Sequence, residues 1–294
     1  MNVKQSSRDA GFQALCAAFI GVFALFCLVP FWMMVVGSFT NENELIVSGY
    51  SLFPNAWSLD AYRALLMSGT LMGGYLNSIF ITIVGTSIGL AVSALLAYSI
   101  ANKRNRIRNA LAFFIYFTML FNGGLVPFYL LVSKWLDLGN SLWAVILPVV
   151  IQPFLVFLMV SFFRTLPIEL EESGRIDGAN ELRIFVSVML PISIPIVATV
   201  TLFYAINYWN EWFNSLLFLT EDRKFPLQLI LRRLISNMQA AKNLIPSGAA
   251  VFLNVPSLGL RMAATIVTIG PIILLYPFIQ RYFVKGLTIG AVKG

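Results

Sequence analysis

The side chains able to do chemistry in this 294-residue sequence gather in two places. In 169–183, Glu169, Glu171, Glu172, Arg175, Asp177, Glu181 and Arg183 fall within fifteen residues of a chain that is only 11% charged. In 204–214, Tyr204, Asn207, Tyr208, Trp209, Asn210, Glu211, Trp212 and Asn214 interrupt an otherwise apolar run. The chain has no His, so it lacks the commonest metal ligand and general base, which argues against metal catalysis and Ser-His chemistry. What remains is recognition. A carboxylate can hold a partner guanidinium by two bonds at once, which adds orientation to energy. Aromatic faces beside amides suit sugars, because rings stack on C–H faces while amides bond hydroxyls in either direction.

The elements that must position these groups are apolar. The chain is 59% hydrophobic with 25 Phe, and its mean hydropathy is +0.82. Soluble domains run at about 45–50% apolar, so the composition points to an integral membrane protein. We expect an all-α membrane protein, a single transmembrane domain over 1–294. Six spans are expected at about 12–36, 75–101, 110–132, 141–163, 195–219 and 261–280, with a long polar loop at 164–194. The first apolar run is too long for a signal-peptide core and reads as a retained span. Cys16 and Cys27 both lie in it, as packing residues rather than a disulfide or metal pair.

The net charge of +7 could suggest nucleic acid, but position explains it better. Six spans place both termini on one side, with Lys4, Arg8, Lys103, Arg104, Arg106, Arg108, Arg164, Arg175, Arg183, Arg281, Lys285 and Lys293: twelve of the 20 basic residues. Positive charge concentrates in cytoplasmic loops, so both termini and 164–194 are expected in the cytoplasm, and the long loops 37–74 and 220–260 outside. Membrane lipid is then an expected partner, and nucleic acid is not.

Within 164–194, Asp177-Gly178 is a turn signal. Before it, a short helix carries the small residues Ser173 and Gly174. After it, Leu182, Phe185, Val186 and Met189 recur at helical spacing and predict one apolar face. Asn122-Gly123-Gly124 with Pro127 predicts a break in the third span, tolerated only where backbone is packed in protein or lines a cavity; Pro148 and Pro153 predict a bent fourth span. Packing through small residues is the plain alternative for the third-span break. Asn122 and residues Tyr204, Asn207, Tyr208, Trp209, Asn210, Glu211 and Trp212 read as lining of a translocation path. The plain alternative for the aromatics is an interfacial belt.

Read by spacing, Glu172-Ser173-Gly174, three residues, Gly178, nine residues, Val188, one residue, Leu190-Pro191 resembles the coupling motif of ABC importer permeases. Ser173 and Gly174 stand where that pattern has two Ala, and Val188 where it has Ile. WNEWFNSLLFL and the terminal GLTIGAVKG look like maltose-type carbohydrate permeases, and NGGLVPFYLLV like their LplC-like polysaccharide and oligosaccharide subgroup. An alginate-importer permease is the leading specific reading within it, although no residue specifies a uronate. The resemblance implies a bacterial inner-membrane subunit with a cytoplasmic coupling helix between the fourth and fifth spans. It implies a second related permease, two ATP-binding subunits and an extracytoplasmic sugar-binding protein as partners. The chain itself would bind no cofactor, with ATP and Mg held by the ATP-binding subunits. Glu172, Ser173, Gly174, Asp177, Gly178, Leu190 and Pro191 would form the ATPase contact, and the outer loop 237–258 would probe the binding protein. Two rivals from other classes are an intramembrane glycosyl or lipid-linked transferase and a stand-alone secondary transporter. The first would need converging catalytic groups, the second more intramembrane charge than Glu211 alone.

Overall fold

The computed structural model describes residues 7–67, 69–244, 258–271 and 273. The outer loop beyond Leu244, the tail from residue 281 and the end of the expected sixth span lie outside the described residues. Helices dominate: α1 Ser7–Ser38, α2 Glu42–Ser48, α3 Asp60–Met67, α4 Thr70–Ala101, α5 Arg108–Leu120, α6 Leu125–Trp135, α7 Trp143–Val149, α8 Pro153–Phe163, α9 Glu169–Ile176, α10 Glu181–Ile192, α11 Ile194–Trp209, α12 Phe213–Phe218, α13 Leu227–Leu244 and α14 Leu258–Pro271. Among the described residues the only extended pairing is an isolated bridge between Thr40 and Trp57.

By length and composition, α1 and α4 can each cross a membrane unaided. Three bent pairs are long and apolar enough to cross only if each pair counts as one span: α5 with α6 at 117°, α7 with α8 at 45°, and α10 with α11 at 86°. The breakers explain the first two. Asn122-Gly123-Gly124 ends α5, with Gly124 in the left-handed region at φ 86°, and the Asn122 side chain accepts the Gly124 amide at 2.8 Å. Pro148 and Pro153 supply no amide hydrogen, so the backbone ladder fails between them. The run expected as a fifth span at 195–219 is divided: α11 ends at Trp209, and α12 starts after a break at Asn210–Trp212.

The described residues group into two compact units. The first comprises 7–67 with 235–244 and 258–269. In it the Glu42 carboxylate accepts the Leu258 and Gly259 amides at 2.8 and 2.9 Å, satisfying free N–H groups at the start of α14. The second comprises 69–234 with 270, 271 and 273, and its core is α4 packed on α8 and α11. A stripe of small residues on α4 makes that close approach possible. A Cβ on Gly85 would stand 2.5 Å from the Tyr208 ring, and one on Gly89 2.7 Å from the Tyr204 ring. Gly85, Gly89 and Ser93 are spaced by four, so they form one groove along the helix, which the two tyrosines of α11 fill.

Candidate functional site

The turn after α9 is built by its own backbone. The Ala179 amide reaches the Gly174 carbonyl at 3.0 Å and the Gly178 amide the Arg175 carbonyl at 3.0 Å, the paired bonds that close a helix on a left-handed residue. That residue is Gly178, at φ 77°, and a Cβ there would meet nothing within 4 Å, so glycine is needed for conformation and not for space. Gly174 is the reverse case: a Cβ there would stand 3.0 Å from Ile184 Cγ1, so its small size lets α9 close on α10. Asn180 then starts α10, its side chain accepting the Arg183 amide at 2.8 Å.

One cluster holds this hairpin of helices. Arg175 donates to Glu171 at 2.9 Å and to Glu181 at 2.9 Å, and its side chain is only 17% exposed. The bond to Glu181, reinforced by the one to Glu171, keeps the guanidinium protonated beyond its ordinary range. Glu181 also accepts from Tyr98 Oη at 2.8 Å and Asn102 Nδ2 at 3.2 Å, which ties the hairpin to the end of α4. Hydrogen bonds to charged groups are worth about 1.5–3 kcal/mol each, and less at Glu181, whose side chain is 54% exposed. Glu172 is different: its nearest cation is Arg104 at 3.9 Å, and both side chains are about half exposed or more. An exposed pair at that distance contributes about 0–1 kcal/mol, so Glu172 is free to exchange partners.

The apolar face of α10 differs from the expected one. Ile184, Phe185 and Met189 are buried, whereas Leu182 and Val186 are exposed. A wide turn at Phe185–Met189 shifts the register, so a uniform count of 3.6 residues per turn picks the wrong partners for Phe185. Leu190 is half buried and Pro191 exposed at the end of α10, while Ser173 and Asp177 are exposed beside Glu172.

The structure separates the residues expected along a path into two sets. Tyr204 and Tyr208 are at 0% and 2% exposure in the core. Tyr204 Oη donates to the Val150 carbonyl at 2.8 Å, takes the Gln152 amide at 3.2 Å and meets Ser93 Oγ at 2.7 Å. Tyr208 Oη donates to the Ile146 carbonyl at 3.0 Å. These are backbone groups freed where α7 bends into α8, so the two hydroxyls repair the bend. Trp209 is buried too, with its ring 6.3 Å from Tyr75.

The second set is more open. Asn207 donates to Gln152 Oε1 at 3.1 Å, and Asn210 accepts from Gln228 Nε2 at 3.0 Å. Trp212 carries the Arg232 guanidinium over its ring at 3.5 Å. Glu211 accepts the Asn214 amide at 2.7 Å, and so caps the start of α12. Asn122 is exposed at the break between α5 and α6, where its side chain accepts the Gly124 amide. Sequence reasoning missed the Arg175–Glu181–Tyr98–Asn102 cluster, which long-range contacts alone create. It also missed the Gly85, Gly89 and Ser93 groove, whose four-residue spacing was a usable signal. Arg232 gave no signal.

Comparison with known proteins agrees across the whole chain. Residues 89–289 match the family described as binding-protein-dependent transport system inner membrane component. The polygalacturonan/rhamnogalacturonan transport system permease protein YtcP of Bacillus subtilis (strain 168) is 39% identical over 286 residues, 96% of this chain and 98% of that protein. Protein LplC of the same organism is 39% identical over 278 residues, 94% of this chain and 92% of its own length. Among solved structures, a chain of a bacterial ABC transporter involved in the import of the acidic polysaccharide alginate is similar at TM-score 0.82 and 30% identity, covering 96% of this chain and 100% of that one.

Proposed function

Because this chain belongs to the family of binding-protein-dependent transport system inner membrane components, we propose that α9 is the helix through which ATP-driven motion enters it, and that its cargo is an acidic oligo- or polysaccharide. The chain is the permease subunit of an ATP-driven sugar importer, a membrane transporter subunit and not an enzyme. That membership sets aside both the transferase and the stand-alone transporter. Importers of this family work with another permease, ATP-binding subunits and a binding protein. In our reading the assembly holds one related permease, two ATP-binding subunits that carry ATP and Mg, and one extracytoplasmic sugar-binding protein. Both termini and α9 face the cytoplasm, and six spans cross the membrane.

The observation that carries the coupling role is a contrast within one hairpin. Arg175 bonds Glu171 and Glu181 at 2.9 Å and so ties α9 to the bundle, while Glu172 has Arg104 only at 3.9 Å and Ser173, Ile176 and Asp177 are exposed. A rigid lever with an open face can pass a push inward. ATP binding would draw the ATP-binding subunits together, move α9, and open the spans outward to accept sugar; hydrolysis would restore the inward-facing state. The two states must contact Glu172 and its neighbours differently, or no work is transmitted. The acidic cargo is supported by the names of relatives and of the similar structure, which concern polygalacturonan and alginate. Asn207, Asn210, Trp212 and Asn122 are the open polar and aromatic groups we assign to its path.

The test is a disulfide or bifunctional crosslink from Ser173→Cys, in a chain whose Cys16 and Cys27 are replaced, to the ATP-binding subunit of the purified importer. The reading requires a crosslink that changes in yield when ATP is added. If Ser173→Cys links to nothing in an importer that still pulls down its ATP-binding subunit, α9 is not the contact.

A further inference from the structure

Residues 39–63 of the first unit fold around an open cleft that belongs to neither region described above. Its volume is about 490 Å³, and Phe39, Asn41, Trp57, Ser58, Asp60 and Arg63 line it. Small-molecule sites run at roughly 300–1,000 Å³. The Trp57 indole is 66% exposed, yet the backbone carrying it is fixed from several directions. Thr40 and Trp57 pair as an antiparallel bridge. The Ser58 amide donates to the Phe39 carbonyl at 2.7 Å and the Asn41 amide to the Ala56 carbonyl at 3.0 Å. The Glu44 carboxylate takes the Asn55 and Ala56 amides at 2.9 and 2.7 Å. The opposite wall is steadied by Phe39 stacked on Tyr62 at 4.8 Å. An indole held open on a pinned backbone, in a cleft with polar groups, offers a ring face at little ordering cost.

Polar groups stand beside the platform. Ser58 Oγ donates to Asp60 Oδ2 at 2.6 Å, and Arg63 Nη1 reaches Asp60 Oδ1 at only 3.5 Å, with side chains 72% and 62% exposed. Arg63 therefore keeps free donors and Asp60 free acceptor positions. We infer that this cleft binds saccharide, with the Trp57 face stacked on the C–H face of a sugar ring and Arg63 and Asp60 bonding its oxygens. The inference rests on the sugar-importer reading and deepens it: the loop 37–74, which faces outward in that reading, offers the incoming chain a first contact apart from residues 207–212. Arg63 can bond a carboxylate as well as a hydroxyl, so acidic sugar is the better ligand.

The experiment is calorimetric titration of the full chain in lipid nanodiscs with trigalacturonate and, separately, maltotriose, without a binding protein. We expect measurable trigalacturonate binding that Trp57→Ala weakens at least tenfold and Trp57→Phe largely keeps. Arg63→Gln should weaken trigalacturonate more than maltotriose, and Trp135→Ala, at an exposed indole elsewhere, should change nothing. Circular dichroism and size exclusion establish that each variant is folded. The inference is overturned if the wild-type chain binds neither saccharide, or if folded Trp57→Ala binds as well as wild type. It is also overturned if Trp57 affects only capture of the cognate binding protein, which would make the cleft a protein dock. Uptake by the assembled importer, measured in parallel, separates the two readings: a wild-type chain that binds no saccharide while Glu172-dependent uptake is intact refutes the cleft alone, and Trp57-dependent binding with uptake indifferent to Glu172 refutes the coupling reading alone.

Discussion

Replacing Tyr204 by Phe tests how a broken span is held together inside the bilayer. The ring stays over Gly89, so packing is kept and only the hydroxyl is lost. That hydroxyl donates to the Val150 carbonyl at 2.8 Å and receives the Gln152 amide at 3.2 Å, with Ser93 Oγ at 2.7 Å. Ser93 and Tyr204 are both at 0% exposure, and no solvent can replace the lost partner. An unsatisfied buried polar group costs about 1–3 kcal/mol, while side-chain bonds between membrane helices average about 0.6 and reach about 1.7 kcal/mol. Ser93 can turn back to a carbonyl of its own helix, which recovers part of the loss. Together these place Tyr204→Phe at about 1.5–2.5 kcal/mol, from two stranded backbone groups. Tyr208→Phe strands only the Ile146 carbonyl, at about 0.5–1.5 kcal/mol. Tyr116→Phe, at an exposed ring, should cost nothing measurable. The assay is unfolding of the full chain in mixed micelles by graded denaturing detergent. If Tyr204→Phe is as stable as Tyr116→Phe, or Tyr208→Phe costs more than Tyr204→Phe, the hydroxyls do not hold the bend and the reasoning fails.

Three further outcomes are expected. Gly178→Val forces a β-branched residue to φ 77°, costing about 1–2 kcal/mol locally, so α9 should be cleaved faster in limited proteolysis, with Gly178→Asn intermediate; equal rates for all three would show that the turn does not need its left-handed residue. Glu181→Gln removes the charge shared by Arg175, Tyr98 and Asn102, and hydrogen exchange in 169–178 should rise several-fold while exchange in α8 stays unchanged. Bonds from Arg223, then Lys224 and Asn140, hold the Glu221 carboxyl at about 2, below its ordinary value of 4.5. A carboxylate with a lowered pKa stabilises the fold fully above its unfolded value and loses that contribution as pH falls toward the folded one. The stability advantage of wild type over Glu221→Gln should therefore be constant above about pH 5 and shrink between about 4.5 and 2; an advantage that grows on acidification would contradict the pairing.

Much of the loop that carries α9 was legible because its signals are local. Asp177-Gly178 needs only a residue that tolerates the left-handed region, and the structure puts Gly178 there. The breaks at Asn122-Gly123-Gly124 and between Pro148 and Pro153 follow from absent side chains and absent amide hydrogens, which any reading of the chain can count. The misreadings share one cause, since each depends on what packs against the residue. Tyr204 and Tyr208 look like path aromatics in sequence; only the groove of Gly85, Gly89 and Ser93 across from them turns them into core. Glu211 looks like an intramembrane charge, but a new helix starts two residues later and uses it as a cap. The face of α10 was misassigned because one wide turn breaks the 3.6-residue count, and nothing in 185–189 announces that turn.

In the function proposed for this chain, α9 transmits ATP-driven motion through its open face. That role is tested most directly by ATP-driven sugar uptake in proteoliposomes holding the complete importer, wild type beside Glu172→Lys, with subunit content and ATP hydrolysis measured on the same samples. Glu172→Lys should still assemble but lose at least tenfold in sugar moved per ATP hydrolysed. Uptake and hydrolysis at wild-type levels in an assembled Glu172→Lys importer would contradict that role.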